Sequence, residues 1–185
     1  MRIISGKFKK KKILLPDQNF TRPLRDYVKE NIFNLLTHSK LINFNFEKSF
    51  VLDLFSGSGS FGLECLSRGS EKIFFCEKEK DVLNILKKNI NNFSVKDQSK
   101  IFFMDVLKIN FKYELKHEIN LIFLDPPFKY TNLEKLFEKL KIFSSNTLII
   151  FHLEKGNFFN FNIYLDVLIH KTYGRSVIIF GKIKN

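Results

Sequence analysis

Residues 50–62 read Phe-Val-Leu-Asp-Leu-Phe-Ser-Gly-Ser-Gly-Ser-Phe-Gly. An apolar strand, Val51 to Phe55, runs into a turn of small residues, and an apolar-periodic helix follows through Leu63 and Leu66. Gly57, Gly59 and Gly62 fit the spacing G-x-G-x-x-G, and Glu77 stands 20 residues after Gly57, at the end of the next predicted strand. Glycines in such a turn let a cofactor approach the backbone, and an acid at the following strand end accepts from ribose hydroxyls. A nicotinamide dinucleotide would satisfy this pattern, and so would S-adenosylmethionine (SAM). Two features favour SAM. Asp53 lies inside the strand end, where an ammonium could be held. The chain also offers an amine-accepting motif further on, and no second nucleotide-binding half.

That motif is Leu-Ile-Phe-Leu-Asp-Pro-Pro-Phe at 121–128. Four apolar residues predict a buried strand that stops at an acid, two prolines and an aromatic ring. Asp125 and the Pro126 carbonyl are hydrogen-bond acceptors. Pro126 and Pro127 fix φ and donate no N–H, so the acceptors stand in a rigid turn with little competition. Phe128 offers a π-face on which a base taken out of its stack can lie. The same octet also fits a plain strand followed by a Pro-Pro turn; its pairing with the glycine turn gives it chemistry.

Strand and helix patterns alternate along the chain. Strands are predicted near 50–55, 72–76, 100–103, 120–124 and 146–152, and helices near 24–37, 60–68, 79–92 and 131–141. Two closing strands, about 162–170 and 173–182, meet at a short turn and are expected to be antiparallel. Residues 1–15 read as two short basic strands, a hairpin around Ser5-Gly6. The organisation expected is a basic N-terminal extension over 1–20 and one α/β domain over 21–185. Its sheet is mostly parallel, with helices on both faces. Sites in such sheets lie at the carboxyl ends of the strands, where Asp53, Glu77, Asp105 and Asp125 should converge on one crevice.

The chain has 185 residues, enough for one domain with a sizeable core. Its 31 Lys and Arg against 19 Asp and Glu give a net charge of +12, a field that favours a polyanion such as nucleic acid. The charge clusters: Arg2, Lys7, Lys9, Lys10, Lys11 and Lys12 precede the first acid. Arg22 and Arg25, just before the first helix, are further candidates for an RNA backbone. No apolar span or signal peptide accompanies the basic run, which implies a cytoplasmic protein away from membranes. Cys65 and Cys76 read as reduced, buried thiols. No Cys/His spacing suits a metal. His38, His117, His152 and His170 match no catalytic spacing and read as surface or strand-end residues. Of the 23 Phe, most fall at strand spacing and read as core.

Taken in order, the two motifs resemble class I SAM-dependent methyltransferases that act on amino groups. The opening Met1-Arg-Ile-Ile-Ser-Gly-Lys-Phe, the block Thr21-Arg-Pro-Leu-Arg-Asp-Tyr-Val-Lys-Glu-Asn-Ile-Phe-Asn-Leu-Leu36, and the tail Tyr173-Gly-Arg-Ser-Val-Ile-Ile-Phe narrow the resemblance to the bacterial RsmD family. That resemblance implies a Rossmann-like seven-stranded sheet with a C-terminal antiparallel strand. It implies methylation of the exocyclic N2 of guanine 966 in 16S rRNA, on naked RNA or on an assembling small subunit, by a monomer. By the same resemblance, Gly57 and Gly59 admit the methionine end of SAM, Asp53 lies near its ammonium and Glu77 binds the ribose. Asp105 and the Val106 N–H meet the adenine. Asp125, Pro126, Pro127 and Phe128 form the acceptor motif. The family usually has Thr after the Arg-Pro pair, where this chain has Leu24; a hydroxyl contact from that position is therefore lost.

Three other functions compete. A DNA adenine or cytosine amino methyltransferase would use the same motif, but usually carries an added target-recognition region. A nicotinamide oxidoreductase would need a hydride-transfer site, which the chain does not supply. A non-catalytic RNA-binding module is disfavoured by the intact set Asp53, Glu77 and Asp125.

Overall fold

The computed structural model describes residues 1–17 and 24–184. Helix α1 (Asp26–His38) precedes strand β1 (Phe50–Asp53), helix α2 (Ser60–Ser67), β2 (Lys72–Glu77), α3 (Lys80–Asn92) and β3 (Ser99–Phe103). A 3-10 turn (Val106–Lys108) and a short α4 (Phe111–Glu114) lead to β4 (Leu121–Leu124), and a second 3-10 turn (Phe161–Ile163) precedes the last two strands. Helix α5 (Leu133–Leu140), β5 (Leu148–Glu154), β6 (Leu165–Tyr173) and β7 (Ser176–Ile183) complete the order. Seven strands form one sheet in the order β3-β2-β1-β4-β5-β7-β6. β7 runs antiparallel to both its neighbours, and the other pairings are parallel. This is the Rossmann-like arrangement expected.

Period-two alternation divides the strands between two cores. Val51, Ile73, Phe75, Leu121 and Phe123 pack on the face that carries α1, α2 and α3. Leu52, Phe74, Cys76, Ile122 and Leu124 pack on the face that carries α4 and α5. α3 and α5 are amphipathic: Val82, Leu83, Leu86 and Ile90 on one, and Leu133, Leu136, Phe137 and Leu140 on the other, are buried at helical spacing. All eight residues of α2 are buried, because it lies between the sheet and the N-terminal segment. Gly62 makes its close seat possible: a Cβ there would stand 2.4 Å from a ring carbon of Phe75.

Two expectations change in detail. Residues 1–15 are not two strands; they share one antiparallel bridge, Arg2 to Lys12, around successive turns. The segment still folds back antiparallel, with Ile3 N–H donating to the Lys11 carbonyl (3.0 Å) and Ile13 N–H to the Met1 carbonyl (3.1 Å), while the N–H groups of Ile4, Ser5, Phe8 and Leu14 donate to side chains of α2 and α3. The closing hairpin turns at Gly174-Arg175, a few residues later than read, because Gly174 takes φ +60° at the first turn position. Among the described residues no helix is long and apolar enough to cross a membrane.

Candidate active site

The chain winds outward in one direction through β1, β2 and β3, then returns to the other side of β1 with β4 and β5. The crevice beyond the carboxyl ends of β1 and β4 is thus a switch point, where α/β sheets bind ligands. A cavity of about 440 Å³ opens there. Its walls include Asp53, Gly57, Glu77, Asp105, Val106 and the turn Asp125–Phe128, so the four strand-end acids do converge.

Asp53 ends β1 at 1% exposure, and among the described residues neither of its carboxylate oxygens has a hydrogen-bond partner. Burial is the main cause that pushes its carboxyl up to about 8; the charges of Asp125 and Glu77 add to the shift, and the N–H groups of Gly62 and Phe55 only partly oppose it. An acid of this kind is matched to a cation brought by a ligand.

Gly57 takes φ +55°, and a Cβ there would meet nothing within 4 Å, so the turn presents bare backbone to the cavity. Gly59 differs from expectation. It does not line the cavity; it takes φ +80°, and a Cβ would lie 2.5 Å from Leu86. Its role is to bring the turn down onto α3. Ser56 fastens the same turn to β2: its hydroxyl donates to the Asp53 carbonyl (2.8 Å) and accepts from Cys76 N–H (2.9 Å).

Glu77 is largely committed to backbone. Its Oε2 accepts from Gly57 N–H (3.0 Å), and its Oε1 accepts from Lys78 and Glu79 N–H (2.8 Å each). Burial pushes its carboxyl up and these three donors pull it down. Oε2, with a single bond accepted from the described residues, has capacity for another donor, and Glu77 lines the cavity. Asp105 caps the 3-10 turn by accepting from Leu107 N–H at 2.9 Å, which sets Val106 beside it on the cavity wall.

Across the cavity, Pro126 is buried, and its carbonyl accepts from none of the described residues; the Pro127 carbonyl takes the turn hydrogen bond from Tyr130 N–H (2.7 Å). Phe128 is half-buried on the wall. Leu24, 6% exposed, forms an apolar part of the lining.

The chain matches the family described as conserved hypothetical protein 95 over residues 1–182. A Buchnera aphidicola protein named ribosomal RNA small subunit methyltransferase D is 33% identical over 86% of this chain and 78% of its own length. A Haemophilus influenzae protein of the same name is 33% identical over 76% and 70%. The chain belongs to the RsmD family. Among solved structures, the H. influenzae protein HI0767 superposes with a TM-score of 0.75 at 29% identity, covering 100% of this chain and 99% of that one. A tRNA methyltransferase from M. jannaschii shares the fold alone, at TM-score 0.57 and 18% identity over 75% of this chain and 46% of its own.

The basic segment of this RsmD-family chain is anchored more firmly than a free arm. Ile3 and Ile13 are buried in the core. Glu64 of α2, fully buried, accepts from Ile4 N–H (2.7 Å), Ser5 N–H (3.0 Å) and Arg68 Nε (2.9 Å). Asn89 of α3 exchanges hydrogen bonds with both backbone groups of Leu14 and donates to the Ser58 carbonyl in the glycine turn. The lysines themselves are exposed, but Lys11 donates to the Asn92 carbonyl (2.6 Å) and lies over Phe93. Lys7, through its backbone, binds the Ser67 carbonyl. The lysine turn therefore docks at the C-terminal ends of α2 and α3, whereas the cavity opens at the N-terminal end of α2. Arg2 and Arg25 are exposed. Arg22 lies outside the described residues.

One histidine departs from the surface reading. His38, His117 and His170 are exposed, but His152 is 3% exposed on β5 and lines the cavity. Its Nδ1 lies 2.7 Å from Asp125 Oδ1, and its ring meets Phe128 edge to face at 5.8 Å. The register explains this: Leu124 pairs with Phe151, so the next residues of β4 and β5 stand side by side. Tyr130 was also missed. Its ring packs against Phe55, and its hydroxyl, without a hydrogen-bond partner among the described residues, is pushed up to about 12 by burial and by Asp105. Nothing in the spacing marks either residue, since their partners come from other elements. Among the described residues no group of acids, cysteines and histidines could hold a metal ion.

Proposed function

We propose that this chain, an rRNA methyltransferase by its family, uses SAM to methylate the exocyclic N2 of a guanine in 16S rRNA, the family resemblance implying guanine 966. One observation carries the reading: a buried carboxylate, unpaired among the described residues, and the Asp-Pro-Pro-Phe turn share one cavity. The donor set fits SAM. Asp53 offers its ammonium a counter-ion, Gly57 gives its methionine end bare backbone, the spare capacity of Glu77 Oε2 suits the ribose diol, and Asp105 with Val106 suits the adenine. When bound, SAM supplies a methyl group made electrophilic by its sulfonium.

The work left to the protein is on the acceptor. The guanine amino lone pair is delocalised into the ring. Asp125 Oδ2 and the Pro126 carbonyl accept its two N–H bonds, turn the lone pair toward the methyl and stabilise the positive charge that develops on nitrogen. No prior deprotonation is needed, because the methylated nitrogen is acidic enough to lose a proton afterwards. Phe128 stacks on the extruded base. Arg2, Lys9, Lys10, Lys12, Arg22 and Arg25 are proposed to meet RNA phosphates, in the cytoplasm, on naked rRNA or an assembling subunit.

The test is direct. Purified protein is incubated with methyl-labelled SAM and with 16S rRNA or small-subunit particles from a deletion strain. Nucleoside mass spectrometry is expected to find N2-methylguanine, and mapping to place it at position 966. Label on an adenine or cytosine amino group, or in DNA, would reject the assignment.

A further inference from the structure

Resting on the methyl-transfer reading, we infer that His152 is the positioning residue of the acceptor motif: its Nδ1–H holds Asp125 Oδ1, so that Oδ2 is turned to the substrate amine. A carboxylate next to a proline turn can rotate about its terminal bond, and either oxygen could otherwise face the cavity. The 2.7 Å contact between Nδ1 and Oδ1 removes that freedom. Asp125 is part-buried, with 18% of its side chain exposed, so the bond is only partly open to competition from water.

The tautomer follows from the surroundings. Nε2 is buried and has no partner among the described residues. A buried N–H without an acceptor costs about 1–3 kcal/mol, and an unpaired charged one more. The carboxylate beside Nδ1 needs a donor, whereas nothing beside Nε2 needs one. The ring therefore donates from Nδ1 to the carboxylate.

His152 also stands edge to face against Phe128, at 5.8 Å and 80°. One side chain thus sets both working parts of the motif: the acceptor oxygen through a hydrogen bond and the stacking ring through its edge. The element that makes this possible is β5, whose parallel register with β4 brings a residue 27 positions away to the end of the motif.

Two measurements test the assignment. The first is methyl transfer by His152→Leu and His152→Asn. Leu fills the space without a donor, and Asn puts an amide N–H near the place of Nδ1. Loss of a hydrogen bond to a charged acceptor should lower kcat by about 10- to 100-fold in the Leu variant. SAM affinity should stay unchanged, and most of kcat should return in the Asn variant. A Leu variant with wild-type kcat would overturn the inference, as would equal losses in both variants that track a common fall in melting temperature. The second measurement is ¹⁵N NMR of the imidazole in the ligand-free protein, which needs no substrate. The Nδ1–H form is expected in wild type, and its loss in Asp125→Ala; an Nε2–H form in wild type would overturn the inference. The two failures separate: a wild type inactive on rRNA with the Nδ1–H form intact would count against the methyl-transfer reading alone.

Discussion

Removing the charge of Asp53 should stabilise the ligand-free protein while disabling its cofactor site. The carboxyl is pushed up from 3.8 to about 8, chiefly by burial. A raised value in the folded state means that the fold binds this proton more tightly than the unfolded chain does. The associated stability is complete below pH 4 and is lost as pH rises toward 8. About three pH units separate 3.8 from neutrality, each worth about 1.36 kcal/mol, so holding Asp53 protonated while the unfolded chain ionises costs the ligand-free fold about 4 kcal/mol at pH 7 relative to pH below 4. Asp53→Asn removes that cost but leaves a buried amide unsatisfied, at about 1–3 kcal/mol. The net gain should be about 1–3 kcal/mol at pH 7, or roughly 2–12 °C in Tm for a chain of this size, and larger at pH 8. At pH 5 the gain should vanish or reverse. Thermal melts of both proteins at pH 5 and pH 8, with and without SAM, make the comparison. Glu77 is pushed the same way by burial and is present in both proteins, so its own burial contribution cancels in the difference, which reads Asp53 together with its coupling to Asp125 and Glu77. SAM should raise the wild-type Tm at pH 8 and leave the variant nearly unmoved. A variant no more stable than wild type at pH 8, with the same pH slope, would refute the reasoning.

Asp125→Ala should abolish methyl transfer and keep SAM affinity within a few-fold, measured by single-turnover assay and calorimetry; Phe128→Ala should weaken the acceptor complex by roughly 1–3 kcal/mol. Glu77→Ala should lower SAM affinity at least about tenfold and lower Tm as well, because it also frees the N–H groups of Gly57, Lys78 and Glu79. Neutralising Lys9, Lys10 and Lys12 should weaken RNA binding and reduce its log–log salt slope by about 0.7 per lost contact, read from affinities at several salt concentrations. Glu64→Gln should release the N-terminal segment, since breaking a buried ion pair costs about 3–5 kcal/mol, and trypsin should then cut at Lys7 to Lys12 faster than in wild type.

Much of this protein is legible in its sequence, because the relevant information is local. The unbroken apolar run Ile73–Cys76 marks a strand buried on both faces, and the helical spacing of Leu133, Leu136, Phe137 and Leu140 states which face of α5 is buried. The glycine turn and the acids at strand ends are likewise read from a few adjacent residues, and the alternation of strand and helix carries those acids to one edge of a parallel sheet. Residues whose roles depend on distant partners could not be read this way. Gly59 shares its spacing with Gly57, yet Leu86 of α3 makes it a packing residue and not part of the cavity wall. Glu64 is one more helical acid until the fold brings Ile4 and Ser5 to it across about 60 residues. The lysine run reads as a solvated arm, but contacts with Ser67 and Asn92 fix where it lies. His152 is indistinguishable from the other three histidines in the chain. Its meaning comes from strand order and register, which no local pattern encodes: they are decided when β4 and β5 pair and the two strand ends leave the solvent together.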